Sequence, residues 1–307
     1  MGPIWGIDLG GTKIEGVILE DRSSVVPLKR LRIPTEADKG YEHIINQIVR
    51  MVEVLTVEAG MRPQHIGIGT PGVLEPSTQT MKNCNTTALN GQMLKRDLEH
   101  VLGLPISLAN DANCFAYAET LIGAVKEERP EAKVVFGVIM GTGVGGGLVI
   151  DGNVINGLQG IAGEWGHNFL DASGGDCYCG KSGCVERIIS GPALEAYYEN
   201  LMGIPLSLQQ IIDRYHEGDD EVADKTVTRL INFFGKAMAN VINILDPDAI
   251  VLGGGLANID LLYDEGVWEI GKHVFNHQLE TPILRPKLGD SAGVFGAALL
   301  KNPVASI

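Results

Sequence analysis

Cysteine is scarce in this chain, five residues in 307, and three of them, Cys177, Cys179 and Cys184, fall within eight positions. No stretch of about 18 apolar residues occurs that could span a bilayer. Residues 1–8 carry no basic segment and run straight into a strand pattern, so no secretory signal is expected. Gly6 stands where a myristoylation signal needs Ser or Thr. Runs of Lys and Arg are missing, and the net charge is −14. A field of that sign repels DNA and RNA. These absences predict a cytoplasmic protein with reduced thiols that binds neither nucleic acid nor membrane. Two nucleotide-binding signatures are absent as well. No Gly-Lys-Ser/Thr opens a helix, which excludes a P-loop, and there is no Rossmann fingerprint.

What is present is an ordinary soluble composition, 45% apolar and 20% charged, over a length that suggests two domains. Glycine is abundant, 40 residues, and clustered where strands end, as needed for sharp turns or close backbone approach to a ligand. Strands are predicted over 4–9, 14–19 and 25–33, with a tight turn over 10–13. Apolar residues at helical spacing predict a helix over 41–57. A short strand over 65–69, a helix over 93–102, a strand over 106–109 and a helix over 111–122 follow. A second block opens near Lys133 with a buried strand over 134–140, a glycine turn over 141–147 and a returning strand over 148–151. The order strand, Gly/Thr turn, strand thus occurs twice. Helices are predicted over 192–202, 208–216, 221–245 and 261–277, with a strand over 249–252. A last helix over 293–301 is expected to pack back on the first domain. The expected division is a small domain, 1–120 with 293–307, and a large one, 121–292.

The chemistry concentrates in a few segments. Asp8-Leu-Gly10-Gly11-Thr12-Lys13 sets a carboxylate beside a turn rich in backbone N–H groups. Such a turn can cradle phosphate, with the Asp near Mg²⁺; it can equally be a plain hairpin. Gly141-Thr142-Gly143 repeats the arrangement. Gly253-Gly254-Gly255 after a strand offers a third close approach, suited to a nucleoside. Asn110-Asp111 sits at a strand-to-helix junction, where helix capping is the commonest use of such residues. His167, Cys177, Cys179 and Cys184 form a four-ligand Cys3His set suited to a tetrahedral structural zinc. A disulfide cluster is the alternative, and Cys177 and Cys179 are too close to bond each other easily. Glu164 and Glu186 flank the set, so acids and metal site share one short segment.

In this order the motifs resemble the ROK family (repressors, open reading frames and kinases), from Asp8 to Ala298. Gly163-Glu164-Trp165-Gly-His167 with Cys177-x-Cys179-x4-Cys184-x-Glu186 carries the resemblance most specifically; the glycine turns are shared by a wider superfamily. The resemblance implies an α/β, two-domain sugar kinase/actin-like ATPase (ribonuclease H-like) fold, with an interdomain cleft and a structural zinc loop. It implies MgATP held by Asp8, Gly10, Gly11, Thr12, Lys13, Gly141, Thr142, Gly143, Gly253, Gly254 and Gly255. It makes Asp111 the general base and Asn110, Glu164, His167 and Glu186 sugar ligands. One ring nitrogen of His167 would serve zinc and the other the sugar. A homodimer is also implied.

Within the family, the segment 83–91, Trp165 and the segment 289–293 look most like the bacterial fructokinase branch, so D-fructose is the expected acceptor at O6. Asn83 and Asn85 would line its pocket, although the segment reads equally as a polar turn. N-acetylglucosamine kinase, glucokinase and N-acetylmannosamine kinase are the alternatives. A sugar-sensing repressor of the family is disfavoured, because no room for a helix-turn-helix domain is expected before Asp8.

Overall fold

The computed structural model describes residues 2–301; the end of the expected small domain, 302–307, lies outside them. The chain runs β1 (Ile4–Leu9), β2 (Lys13–Leu19), β3 (Lys29–Pro34), α1 (Tyr41–Ala59), β4 (Ile66–Thr70), β5 (Val73–Leu74), β6 (Met81–Lys82), α2 (Leu94–Leu102), β7 (Ile106–Asn110), α3 (Asp111–Leu121) and α4 (Ala124–Glu128). It continues β8 (Val134–Met140), β9 (Val144–Ile150), β10 (Asn153–Val154), α5 (Glu186–Ile189), α6 (Gly191–Met202), α7 (Leu208–Glu217), α8 (Glu221–Leu245), β11 (Ala249–Gly253), α9 (Glu265–Gly271), β12 (Ile283–Leu284) and α10 (Ala292–Leu299). Two five-stranded sheets result, ordered β3-β2-β1-β4-β7 and β10-β9-β8-β11-β12.

Two compact units form. Of the described residues, one holds 2–131, 147–162 and 287–301; the other holds 132–146 and 163–286. In the first, β1 pairs antiparallel with β2 and parallel with β4. Its core gathers Ile7, Leu9, Ile14 and Ile18 from the sheet with Ile44, Ile48, Met51 and Leu55 from α1. The α1 residues recur every three or four positions, which puts them on one face. Gly60, at φ 65°, ends the helix in the left-handed turn that glycine adopts without strain.

The last helix does pack within the first unit, and glycine makes it possible. A Cβ on Gly296 would run into the Cys114 carbonyl, and one on Gly67 into the Ala297 carbonyl. α10 therefore lies directly against α3 and the β4 backbone. The segment 147–162 joins the same unit by a similar approach, Gly147 packing on the Ala112 carbonyl.

In the second unit β8 and β11 pair in parallel, Ala249 opposite Val135 through Gly253 opposite Ile139. α6, α7 and α8 meet at Tyr198, Ile211 and Ala223. Asp220 caps α8, accepting from the Val222 and Ala223 N–H groups at 2.9 and 3.0 Å. It also accepts from Tyr198 Oη and Arg214 Nη1. The Tyr198 hydroxyl above all, against the opposing effect of burial, and then the Ala223 N–H, Arg214 and the Val222 N–H hold its carboxyl down at about 2.

Several expected elements differ in extent, two of them beside side-chain hydrogen bonds. The strand expected over 25–33 begins only at Lys29, because Asp21 draws the chain into a turn by accepting from the Ser23 N–H. The helix expected over 261–277 stops at Gly271. There Asn243 accepts from the Phe275 N–H at 2.8 Å and donates to the His273 carbonyl, satisfying backbone groups outside any helix.

Candidate active site

Each unit carries its own part of the candidate site. In the first, the β1–β2 turn is closed by the Gly10 N–H donating to the Lys13 carbonyl at 3.0 Å. Thr35, fully buried, pins it from below: its hydroxyl donates to the Gly10 carbonyl at 2.7 Å and its N–H to the Thr12 carbonyl. Gly11 and Thr12 stay exposed at the tip. Thr86 Oγ1, buried and without a hydrogen-bond partner, lies 3.4 Å from where a Gly11 Cβ would be.

Asp8 ends β1 beside this turn. Part of it faces solvent, but its oxygens are crowded: Cβ atoms on Gly69 and Gly293 would lie 3.3 and 3.4 Å away. Desolvation, then the charges of Asp111 and Glu15, against the opposing pull of Lys13, raise its pKa to about 7. A carboxyl whose pKa rises on folding favours the folded state when protonated. Its contribution is complete below the ordinary value of 3.8 and is lost as pH rises to about 7. Asp8→Asn is therefore expected to raise the melting temperature relative to the parent protein above pH 7 in magnesium-free buffer. The difference should vanish near pH 4; a pH-independent difference would refute the assignment.

Asn110 and Asp111 occupy the junction of β7 and α3. Asn110 caps the helix, its Oδ1 accepting from the Ala112 N–H at 3.0 Å; Asp111 Oδ1 accepts from the same group at 2.7 Å. The capping role is thus real, and it uses only the amide oxygen of Asn110. The charge of Asp111 reaches Asp8, so two acids of the expected set are brought together. Asn83 and Asn85 are exposed, Asn83 at φ 56°. Their loop is held by a residue the sequence did not single out: Asn90 accepts from the Cys84 N–H and donates to the Cys84 carbonyl.

In the second unit the β8–β9 turn is shorter than expected, spanning only 141–143, because β9 begins at Val144. The Gly141 N–H donates to the Gly143 carbonyl at 2.9 Å, closing this turn one residue tighter than the first. Gly254, at φ 77°, lies so close to this strand end that a Cβ would run into the Met140 carbonyl. The second glycine turn and Gly253-Gly254-Gly255 thus come together. Glu186 is seated against the turn as well, one oxygen accepting from the Val144 N–H at 2.9 Å.

His167 sits in a short 3-10 turn, Trp165–His167. Trp165 anchors that turn: it is buried, its Nε1 donates to the Gly145 carbonyl at 2.8 Å, and its ring meets Phe136 edge-on. Trp165 thus serves the packing of this unit. One ligand atom from each of His167, Cys177, Cys179 and Cys184 lies within 4.8 Å of the others. His167 Nδ1 is 3.7 Å from Cys177 Sγ, and the Cys179 and Cys184 sulfurs are 3.6 Å apart. A tetrahedron of Zn–S bonds has edges of roughly 3.7 Å, and all five thiols are free. The donor set therefore fits zinc, with Nδ1 as the histidine donor.

The opposite ring nitrogen, Nε2, lies 3.0 Å from Tyr178 Oη. Glu164 is half-buried; desolvation raises its pKa, His167 opposes this, and Glu186 adds to it. Burial, then Glu186, Cys177, Glu164 and Cys179, push the Tyr178 phenol up to about 12. Glu164, His167, Glu186 and Tyr178 are therefore one cluster. Tyr178 was not among the expected residues; its place between two metal ligands was the available signal.

The chain is similar to known proteins along nearly its whole length. The ROK family profile matches residues 4–303. The N-acetyl-D-glucosamine kinase of Pasteurella multocida (strain Pm70) is 38% identical over 307 residues, 96% of this chain and 98% of that relative. A ROK hexokinase from Thermus thermophilus is 30% identical, with a TM-score of 0.85 over 97% of both chains. A ROK family glucokinase from Streptomyces griseus, solved with glucose and AMPPNP, is 26% identical, with a TM-score of 0.78 over 97% of this chain and 98% of that one. Matched almost end to end by the family and by kinases within it, the chain is a ROK-family sugar kinase.

Proposed function

We propose that the protein phosphorylates the 6-hydroxyl of N-acetyl-D-glucosamine, using MgATP as donor. The observation that carries this is the identity of 34–38% to N-acetyl-D-glucosamine kinases along 96% of the chain. The expectation of fructose finds no such support. It leaned on the segments 83–91 and 289–293 and on Trp165, whose side chain is committed to Phe136 and Gly145.

In this reading Asp111 takes the proton of the sugar hydroxyl as the new bond to phosphorus forms, because a neutral hydroxyl is a weak nucleophile. Asn110 donates to the sugar from the amide nitrogen that its cap leaves over. Glu164 and Glu186 accept from ring hydroxyls, and Asn83 and Asn85 add contacts from their loop. N–H groups of the turns at Gly10–Lys13 and Gly141–Gly143 bind phosphate oxygens, and Gly253–Gly255 lets the nucleoside approach the backbone. Asp8 holds Mg²⁺, which when bound spreads the charge of the transferring phosphoryl group. The zinc loop keeps Glu164 and Glu186 in place.

A coupled ADP-release assay with MgATP tests the substrate, ranking N-acetylglucosamine, N-acetylmannosamine, glucose, mannose and fructose by kcat/KM. N-acetylglucosamine should lead. An acetamido group is a large difference, so a margin of about tenfold or more over glucose is expected. Leadership by fructose or glucose would overturn the assignment of the sugar while keeping the kinase; turnover of none would overturn both.

A further inference from the structure

We propose that Thr86 is a phosphate-binding residue of this kinase, its hydroxyl donating to the phosphoryl group that passes from ATP to the sugar. The inference rests on the reading that the turn at Gly10–Lys13 holds phosphate and that Asn83 and Asn85 face the sugar.

Among the described residues, Thr86 Oγ1 is the single buried side-chain oxygen or nitrogen with no hydrogen-bond partner. Such a group costs stability for as long as it stays unpaired, so a use outside the resting fold is called for. Local structure supplies none. Thr86 stands at the N-cap of the 3-10 turn Thr87–Leu89, where a threonine hydroxyl ordinarily accepts from a backbone N–H; here the side chain makes no cap bond. The loop does not need the hydroxyl to keep its shape either. Asn90 clamps both backbone groups of Cys84, and the Gly91 N–H donates to the Met81 carbonyl at 2.8 Å. Thr35, also buried against the glycine turn, differs in this respect: its hydroxyl is taken up by the Gly10 carbonyl.

Gly11 shows where the hydroxyl can be reached. A Cβ on Gly11 would meet one atom within 4 Å beyond the adjoining residues, Thr86 Oγ1 at 3.4 Å. The side of the turn that a larger residue would fill is therefore lined by this hydroxyl, at an exposed tip. A phosphate oxygen accepts and the threonine O–H donates. From that position an oxygen has to approach by only about half an ångström to make the bond. Oγ1 is shielded from solvent, so the tip must shift to admit phosphate, and the Gly10-Gly11 backbone does so at little steric cost. Thr86 directly follows Asn85, so its hydroxyl joins the loop on the sugar side to the phosphate turn. The phosphoryl group it meets is the one nearest the acceptor, the γ-phosphoryl.

The test compares Thr86→Val and Thr86→Ser with the parent protein. Valine keeps the shape and removes the hydroxyl; serine keeps the hydroxyl. Thr86→Val should melt no lower than the parent, and up to about 4 °C higher, because a buried unpaired group is gone. Calorimetric titration should show its affinity for the magnesium complex of a non-hydrolysable ATP analogue weakened by about 10–100-fold, as when a hydrogen bond to a charged group is lost. Its affinity for MgADP should stay unchanged, and serine should restore the parent affinity for the analogue. A lower melting temperature with both nucleotides weakened would assign Thr86 to the fold and overturn the inference. Equal weakening of both nucleotides without that drop would overturn it too, since the group met would not be the transferred one. Undiminished affinity of the valine variant for the analogue, with the parent binding normally, would overturn the inference alone. Binding of neither nucleotide by the parent would refute the phosphate reading of the turn, and this inference with it.

Discussion

Asp111→Asn should lower kcat by about 10²–10⁴-fold, the usual contribution of a positioned general base. Sugar binding should survive nearly intact. The two side chains have the same shape, and the amide oxygen can still accept from the Ala112 N–H, as Asp111 Oδ1 does at 2.7 Å. The helix start keeps its Asn110 cap in either case. The variant thus removes the proton acceptor and the negative charge that Asp8 feels, while keeping the shape of the side chain. The measurement is kcat in the coupled assay set beside sugar affinity by calorimetry. A near-normal kcat would sink the base assignment. Loss of affinity together with kcat would make Asp111 a binding group instead.

Removal of zinc should have the next largest effect, on stability and sugar affinity together. Structural zinc sites supply on the order of 10 kcal/mol in small peptides that have little else to hold them. Here the loop from His167 to Cys184 has some support of its own: the Leu170 N–H donates to the Gly183 carbonyl, and the Val185 N–H to the Asn168 carbonyl. A loss of about 3 kcal/mol is therefore expected, lowering the melting temperature by roughly 6–12 °C. Cys184→Ser is the cleanest variant, since Cys184 is fully buried and its sulfur lies 3.6 Å from that of Cys179. Sugar KM should rise about 10–100-fold, as when the support of a metal site is lost, while KM for ATP changes little. An unchanged melting curve and sugar KM after chelation would argue that the four residues hold no metal that matters.

Much of the first unit was legible because its signals are local. The α1 stripe repeats at helical period, Gly10 and Gly11 mark a turn between two apolar runs, and Asn110 caps a helix that follows a strand. The zinc set was legible for the same reason, all four donors lying within eighteen residues. The substrate read from sequence character is what finds no support. The indole of Trp165, on which that reading partly leaned, packs on Phe136 and donates to Gly145. Nothing local to Trp165 tells packing from recognition; that depends on which atoms face it across the fold. Asn90 escaped notice because its partner is a backbone it meets only once the loop is closed.

The sequence by itself determined the order of the longer elements, the two glycine turns, the His and Cys set that fits a metal and the acids beside it, since each follows from spacing along the chain. Only the tertiary structure decided which of these share a neighbourhood. It placed Asp111 where its charge raises the pKa of Asp8 across more than a hundred residues, set Glu186 on the N–H of Val144, and turned His167 so that one nitrogen faces sulfur and the other Tyr178. The physical reason is that such pairings are fixed by packing distances between remote segments. A pKa, a tautomer and a direction of donation all depend on those distances, and they set what each side chain can do.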